Sequence, residues 1–144
     1  MKKLILLVFV FFIVFSPLCE AGFWKKKEKP TLFLTNDDPR ISTSYDEIIK
    51  PEVIFPKGKK IYFTIYSPDG FKSKYIKYQI IKQDNNAHEL GYSRVKNKTV
   101  QVQDKNSYTD YFILHETGKY ALQVFDITNL HQWLAIISFR VIDE

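Results

Sequence analysis

The chain has 144 residues, with 21 Lys and Arg against 16 Asp and Glu, a net charge of +5 and a single cysteine. That length holds one domain with a packed core and is too short for two, and a lone cysteine excludes any intramolecular disulfide. The basic excess is mild and comes with no basic helical stripe, glycine-rich phosphate loop or zinc-ligand spacing, which excludes the usual nucleic-acid and nucleotide-binding modules.

The first element is an export signal over residues 1–21. Lys2 and Lys3 precede an uninterrupted apolar run from Leu4 to Phe15, and Ser16-Pro17 stops any helix there. The run is shorter than the about 20 residues a spanning helix needs. Cys19 and Ala21 place small residues at the first and third positions before Gly22, so cleavage between Ala21 and Gly22 is expected. Two alternatives stay open. Cys19 sits near the place where a bacterial lipoprotein carries its acylated residue, although Leu18 is bulky where such signals want a small side chain. Phe23 and Trp24, followed by Lys25, Lys26 and Lys27, would suit the interfacial end of an uncleaved membrane anchor. Residues 22–30 form a basic linker able to touch an anionic membrane surface. The expected address is exported: periplasmic, cell-surface or secreted, or held at the membrane by the N-terminal helix or an acylated Cys19.

The folded domain is expected over residues 31–144, and its pattern is strands separated by turns. Thr31 to Thr35 and Val53 to Phe55 are edge strands, flanked by Pro30, Pro39, Pro51 and Pro56, since a missing donor costs little at an edge. Asn36-Asp37-Asp38 lacks the further spaced oxygens of a calcium loop and reads as a turn before Pro39. Ser44-Tyr45-Asp46-Glu47 has capping-box spacing, but Pro51 limits the helix to a turn or two. Lys59 to Tyr66 alternates Ile61, Phe63 and Ile65 with Tyr62, Thr64 and Tyr66, so one face belongs to a core. Ser67-Pro68-Asp69-Gly70 is a turn, and Tyr75 to Lys82 alternates again through Ile76, Tyr78 and Ile80. Shorter segments follow at Leu90 to Val95, Thr99 to Gln103, Tyr108 to Leu114, Tyr120 to Phe125 and Trp133 to Ile142, with turns at Asp84-Asn85-Asn86 and Asp104-Lys105-Asn106. Asn97-Lys98-Thr99 is a glycosylation sequon, read as accidental behind a bacterial signal. About eight short strands at this spacing predict an all-β, antiparallel sandwich.

The stretch Leu114-His115-Glu116-Thr117-Gly118-Lys119-Tyr120-Ala121-Leu122-Gln123-Val124 resembles the corner between the fifth and sixth strands of immunoglobulin-like domains. The resemblance implies a single immunoglobulin-like β-sandwich of about 7–8 strands, in the broad class of bacterial extracytoplasmic immunoglobulin-like or fibronectin type III-like modules. It makes Glu116, Gly118 and Tyr120 the structural corner, with the Tyr120 hydroxyl bonded back to corner backbone. Antibody domains differ in carrying an inter-sheet disulfide, for which Leu122 stands here, and a third-strand Trp, for which Tyr78 stands.

Nothing in the sequence assembles a catalytic, cofactor or metal site. His88, His115 and His131 fall in no metal-ligand spacing and near no nucleophile motif, so they are read as solvated loop histidines and the chain as non-enzymatic. The aromatic content is the better clue, with nine Tyr and two Trp. Tyr62, Tyr66 and Tyr75 point outward by alternation and, with Trp133, are the candidate partner-binding aromatics. Strand preference alone would also explain outward tyrosines, and Trp133 is read first as a lid on the core. The last strand is apolar in both registers, so its outer face is expected to be covered by the N-terminal segment or another chain. The resulting reading is an exported, non-catalytic binding or interaction module of the bacterial cell envelope. Its partner is a protein or glycan, with no cofactor and no nucleic acid, and with membrane contact through the N-terminal segment. A structural or accessory subunit of a surface assembly is the alternative.

Overall fold

The computed structural model describes residues 27–40, 53–83 and 91–144. The expected signal with Cys19, Ala21 and Gly22, the capping-box stretch 44–47 and His88 lie outside the described residues. Eight strands follow in chain order: β1 (Thr31–Thr35), β2 (Ile54–Pro56), β3 (Lys60–Tyr66), β4 (Tyr75–Gln83), β5 (Tyr92–Gln101), β6 (Ser107–Ile113), β7 (Gly118–Asp126) and β8 (Asn129–Ile142). They form a three-stranded sheet in the order β1-β3-β6 and a five-stranded sheet in the order β2-β8-β7-β4-β5. No helix occurs among the described residues.

Alternation builds both inner faces, because successive side chains of a strand point to opposite sides. Ile61, Phe63 and Ile65 of β3 face Ile76, Tyr78 and Ile80 of β4, and all six are almost completely buried. Rings tie the sheets together. Tyr78 meets Phe63 edge-on at 4.8 Å, Phe63 lies 6.1 Å from Phe112, Phe112 5.8 Å from Phe139, and Phe139 5.7 Å from Tyr120. Tyr78 is fully buried in the middle of β4.

Three features differ from the sequence expectation. The pairing is not wholly antiparallel: β2 runs parallel to β8, with Ile54 opposite Arg140 and Pro56 opposite Ile142. The chain leaves the small sheet after β1 and joins the large one at β2, arriving in the direction of β8. Bonds from Arg140 N to the Val53 carbonyl (2.7 Å) and from Lys57 N to the Ile142 carbonyl (2.9 Å) flank the ladder. The two segments expected around Leu90 to Val95 and Thr99 to Gln103 are one strand, β5. Lys96-Asn97-Lys98 reads as a polar gap, but β5 is an edge strand exposed along most of its length, where charged side chains are at home. Finally, β8 begins at Asn129 rather than Trp133. Its turn is held by Asp126 Oδ1, which accepts from Thr128 N (2.8 Å) and Thr128 Oγ1 (2.6 Å).

Candidate interaction face

Between β6 and β7 the chain turns at Gly118, whose φ of +150° is one that side chains with a Cβ rarely adopt. A Cβ there would also stand 2.9 Å from Lys82 Cε. The Tyr120 hydroxyl donates to the Glu116 carbonyl oxygen at 2.8 Å, while its ring stacks on Phe139 beneath the sheet. Lys82 Nζ lies 5.8 Å from the Tyr120 ring centre and 2.6 Å from Glu116 Oε2. Burial raises the Tyr120 phenol pKa, partly offset by the Lys82 ammonium.

At the other sheet margin, Asp110 of β6 reaches across the sandwich. Its Oδ2 accepts from Tyr108 Oη (2.9 Å), Tyr78 Oη (3.1 Å) and Lys98 Nζ (2.8 Å), and Oδ1 accepts from Tyr111 N (2.9 Å). Burial would raise this carboxyl, but the donors outweigh it and hold it down at about 2. Burial and the Asp110 carboxylate in turn push the Tyr78 and Tyr108 phenols well above their ordinary value. With every oxygen satisfied by the protein, this cluster is a clamp between sheets rather than a reaction centre.

Among the described residues, one exposed surface is the outer face of the five-stranded sheet. Register puts Ile54 of β2, Arg140, Ser138 and Ile136 of β8, Lys119, Ala121 and Gln123 of β7, Ile81 and Gln83 of β4, and Arg94 and Tyr92 of β5 on this side. Ile54 (54 % exposed), Tyr92 (54 %), Trp133 (51 %) and Ile136 (42 %) rim a shallow hollow of about 660 Å³. Its described lining residues include Lys119 and Arg140 and no carboxylate. Trp133 and Ile136 also border a second hollow of about 740 Å³, into which Lys27, Glu28, Lys29 and Pro30 run.

The four aromatics singled out in the sequence do not form one site. Tyr62 and Tyr66 lie on the outer side of the small sheet, with Tyr62 5.7 Å from Tyr111. Tyr75 lies at the start of β4 in the other sheet. Trp133, read as a core lid, instead points into solvent beside the larger sheet, because register shifts between Val124 and Asp126 carry the start of β8 away from the core. His115 and His131 flank opposite ends of the β7–β8 ribbon. Asp38 is paired in the described turn with Arg40, through Nε at 2.9 Å and Nη2 at 2.7 Å. Among the described residues no group of three or more His, Cys, Asp or Glu is placed to hold a metal. Sequence reasoning missed Ile54, Tyr92, Lys119 and Arg140; the outward parity of β7 against β8 is the signal for Lys119 and Arg140, while Ile54 and Tyr92 join them only through the pairing of β2 with β8 and of β5 with β4.

No known family's sequence profile matches the chain, and no curated protein matches it. Solved structures do. The soluble domain of PmoD from Methylocystis sp. ATCC 49242 (Rockwell) superposes with a TM-score of 0.50 at 13 % identity, over 78 % of this chain and 90 % of that one. The superoxide reductase (neelaredoxin) of Ignicoccus hospitalis superposes with a TM-score of 0.44 at 8 % identity, over 80 % of this chain and 81 % of that one. The PmoD likeness shows a shared β-sandwich fold and nothing further about chemistry.

Proposed function

We propose that the chain is an exported, non-catalytic interaction module of the bacterial cell envelope, built on an immunoglobulin-like sandwich. The strand order supports the finer fold reading: β1-β3-β6 corresponds to strands A, B and E, and β8-β7-β4-β5 to G, F, C and C′. In that frame Tyr120 falls on strand F, where the tyrosine corner belongs, and its bond to Glu116 is the corner bond. The observation that carries the functional reading is the open outer face of the five-stranded sheet, where Ile54, Tyr92, Trp133 and Ile136 are displayed together rather than scattered. A subunit that adds an edge strand to a partner fits less well, since Arg94, Lys96 and Lys98 stud the free edge of β5 and discourage strand addition.

The test is fractionation of producing cells, followed by crosslinking from a photoreactive residue at position 136. The reading expects a mature chain beginning at Gly22 in the envelope fraction, and an adduct from position 136 that a probe at Thr31 on the other sheet does not give. A chain retained in the cytosol, or equal yields from both probes, would defeat it.

A further inference from the structure

Lys119 and Arg140 stand directly opposite each other across β7 and β8. Like charges in that relation destabilise a sheet, and neither forms an ion pair with a described carboxylate. Ile54 neighbours them on β2, and Arg94 lies further across the same face on β5. No outward position of β4, β5, β7 or β8 carries Asp or Glu. The face is thus wide and shallow, roughly 20 Å across at about 4.8 Å per strand, with aromatic and aliphatic side chains interspersed among cations that no described carboxylate pairs. Indole and phenol rings combined with Lys and Arg suit the headgroup layer of a bilayer, where one end of the ring is wet and the other apolar.

A second observation gives the same direction. Lys27 to Pro30 line the same hollow as Trp133 and Ile136. In a mature chain beginning at Gly22, the residues preceding them still hold Phe23, Trp24 and the cluster Lys25 to Lys27. Trp24 lies three positions before Lys27, a reach of at most about 11 Å, so its contact with a membrane would hold this corner of the sheet close to the lipid.

Resting on the interaction-module reading, we propose that the outer face of the five-stranded sheet docks on an anionic phospholipid surface. Trp133, Ile136, Ile54 and Tyr92 enter the headgroup layer, and Lys119, Arg140 and Arg94 neutralise lipid phosphates.

Trp133 reports on this directly, since Trp24 is the other of two tryptophans and Trp24→Phe leaves one indole in the full chain. On vesicles containing phosphatidylglycerol, its emission should shift to the blue and be quenched by brominated lipid, and high salt should reverse both. On pure phosphatidylcholine neither should occur. Lys119→Gln with Arg140→Gln should move the docking equilibrium about thirtyfold toward the undocked state, at about fivefold per cation. Lys119→Glu provides the control for folding: it should lose docking while raising the melting temperature, because it turns the like-charge pair into an opposite one.

Three results in vitro would overturn the proposal. One is a Trp133 that stays open to aqueous quencher while the chain sediments with anionic vesicles, which would mean that the N-terminal segment alone binds. Another is docking by Lys119→Glu equal to that of the parent. The third is an equal blue shift with soluble polyglutamate, which would assign the face to an acidic polypeptide. A protein or glycan adduct from position 136 in cells would remove the lipid and leave the module reading standing. Envelope exclusion of the chain would remove the module reading itself.

Discussion

Replacing Asp110 by alanine removes the carboxylate that receives Tyr78, Tyr108 and Lys98, and the structure fixes which of these losses matters. Lys98 is half exposed and returns to water at little cost. The Tyr78 hydroxyl belongs to a fully buried residue, and an orphaned buried donor costs about 1–3 kcal/mol. Tyr108 is only part-buried and adds roughly a further 0.5–1 kcal/mol, the net worth of an ordinary hydrogen bond. Asp110→Ala should therefore lose about 1.5–4 kcal/mol in urea melts at neutral pH. Adding Tyr78→Phe to Asp110→Ala removes the orphan, so the double variant should be more stable than the two separate losses predict, by about 1 kcal/mol or more. Acid gives an independent reading. The folded carboxyl is held at about 2 against an ordinary 3.8, so its stabilisation is fully present above about pH 4–5 and is lost as pH falls toward 2. That stabilisation amounts to about 2 kcal/mol. Asp110→Asn should flatten the stability profile between about pH 4 and 2. Additive losses in the double variant, together with an unchanged acid profile for Asp110→Asn, would refute the clamp.

Tyr120→Phe should cost about 1–3 kcal/mol by leaving the Glu116 carbonyl without its donor. Tyr62→Phe, on the outer side of β3, should stay within about 0.5 kcal/mol in the same urea melts. Gly118→Ala would hold a Cβ residue at a φ of +150°, while the 2.9 Å approach to Lys82 Cε is relieved by moving the flexible lysine end, so the backbone strain sets an expected loss of about 1–3 kcal/mol, read as a lowered urea midpoint. Lys119→Glu should instead stabilise by about 0.2–1 kcal/mol through a new cross-strand pair with Arg140, most visibly at low salt.

The parts of the fold legible in the sequence are those set by local alternation and local turn chemistry. Ile61, Phe63 and Ile65 declare a buried face within one strand, and the acidic residue, glycine and tyrosine before Leu122 declare the corner. What escaped is set by register between distant residues. Counting back from the Asp126–Asn129 pair without interruption would put Lys119 opposite Ile136; the shifts around Phe125 put it opposite Arg140 instead. Those shifts also expose Trp133, which strand composition alone would bury. The continuity of β5 was hidden for a different reason: an edge strand of Lys, Asn and Arg takes its conformation from hydrogen bonds to β4 and not from its own side chains.

The parallel pairing of β2 with β8 has a mechanical consequence. A load that draws β2 toward its own beginning and β8 toward its own end acts along the strands, so the bonds between them, including those at Val53 and Lys57, are sheared together rather than peeled one by one. Antiparallel neighbours loaded at a shared hairpin end would unzip in sequence. A domain held at a surface through the chain before β2 and pulled through the chain after β8 would thus resist stretching at its short three-residue strand, and the covering of the sheet edge by so small an element would serve as its force-bearing latch.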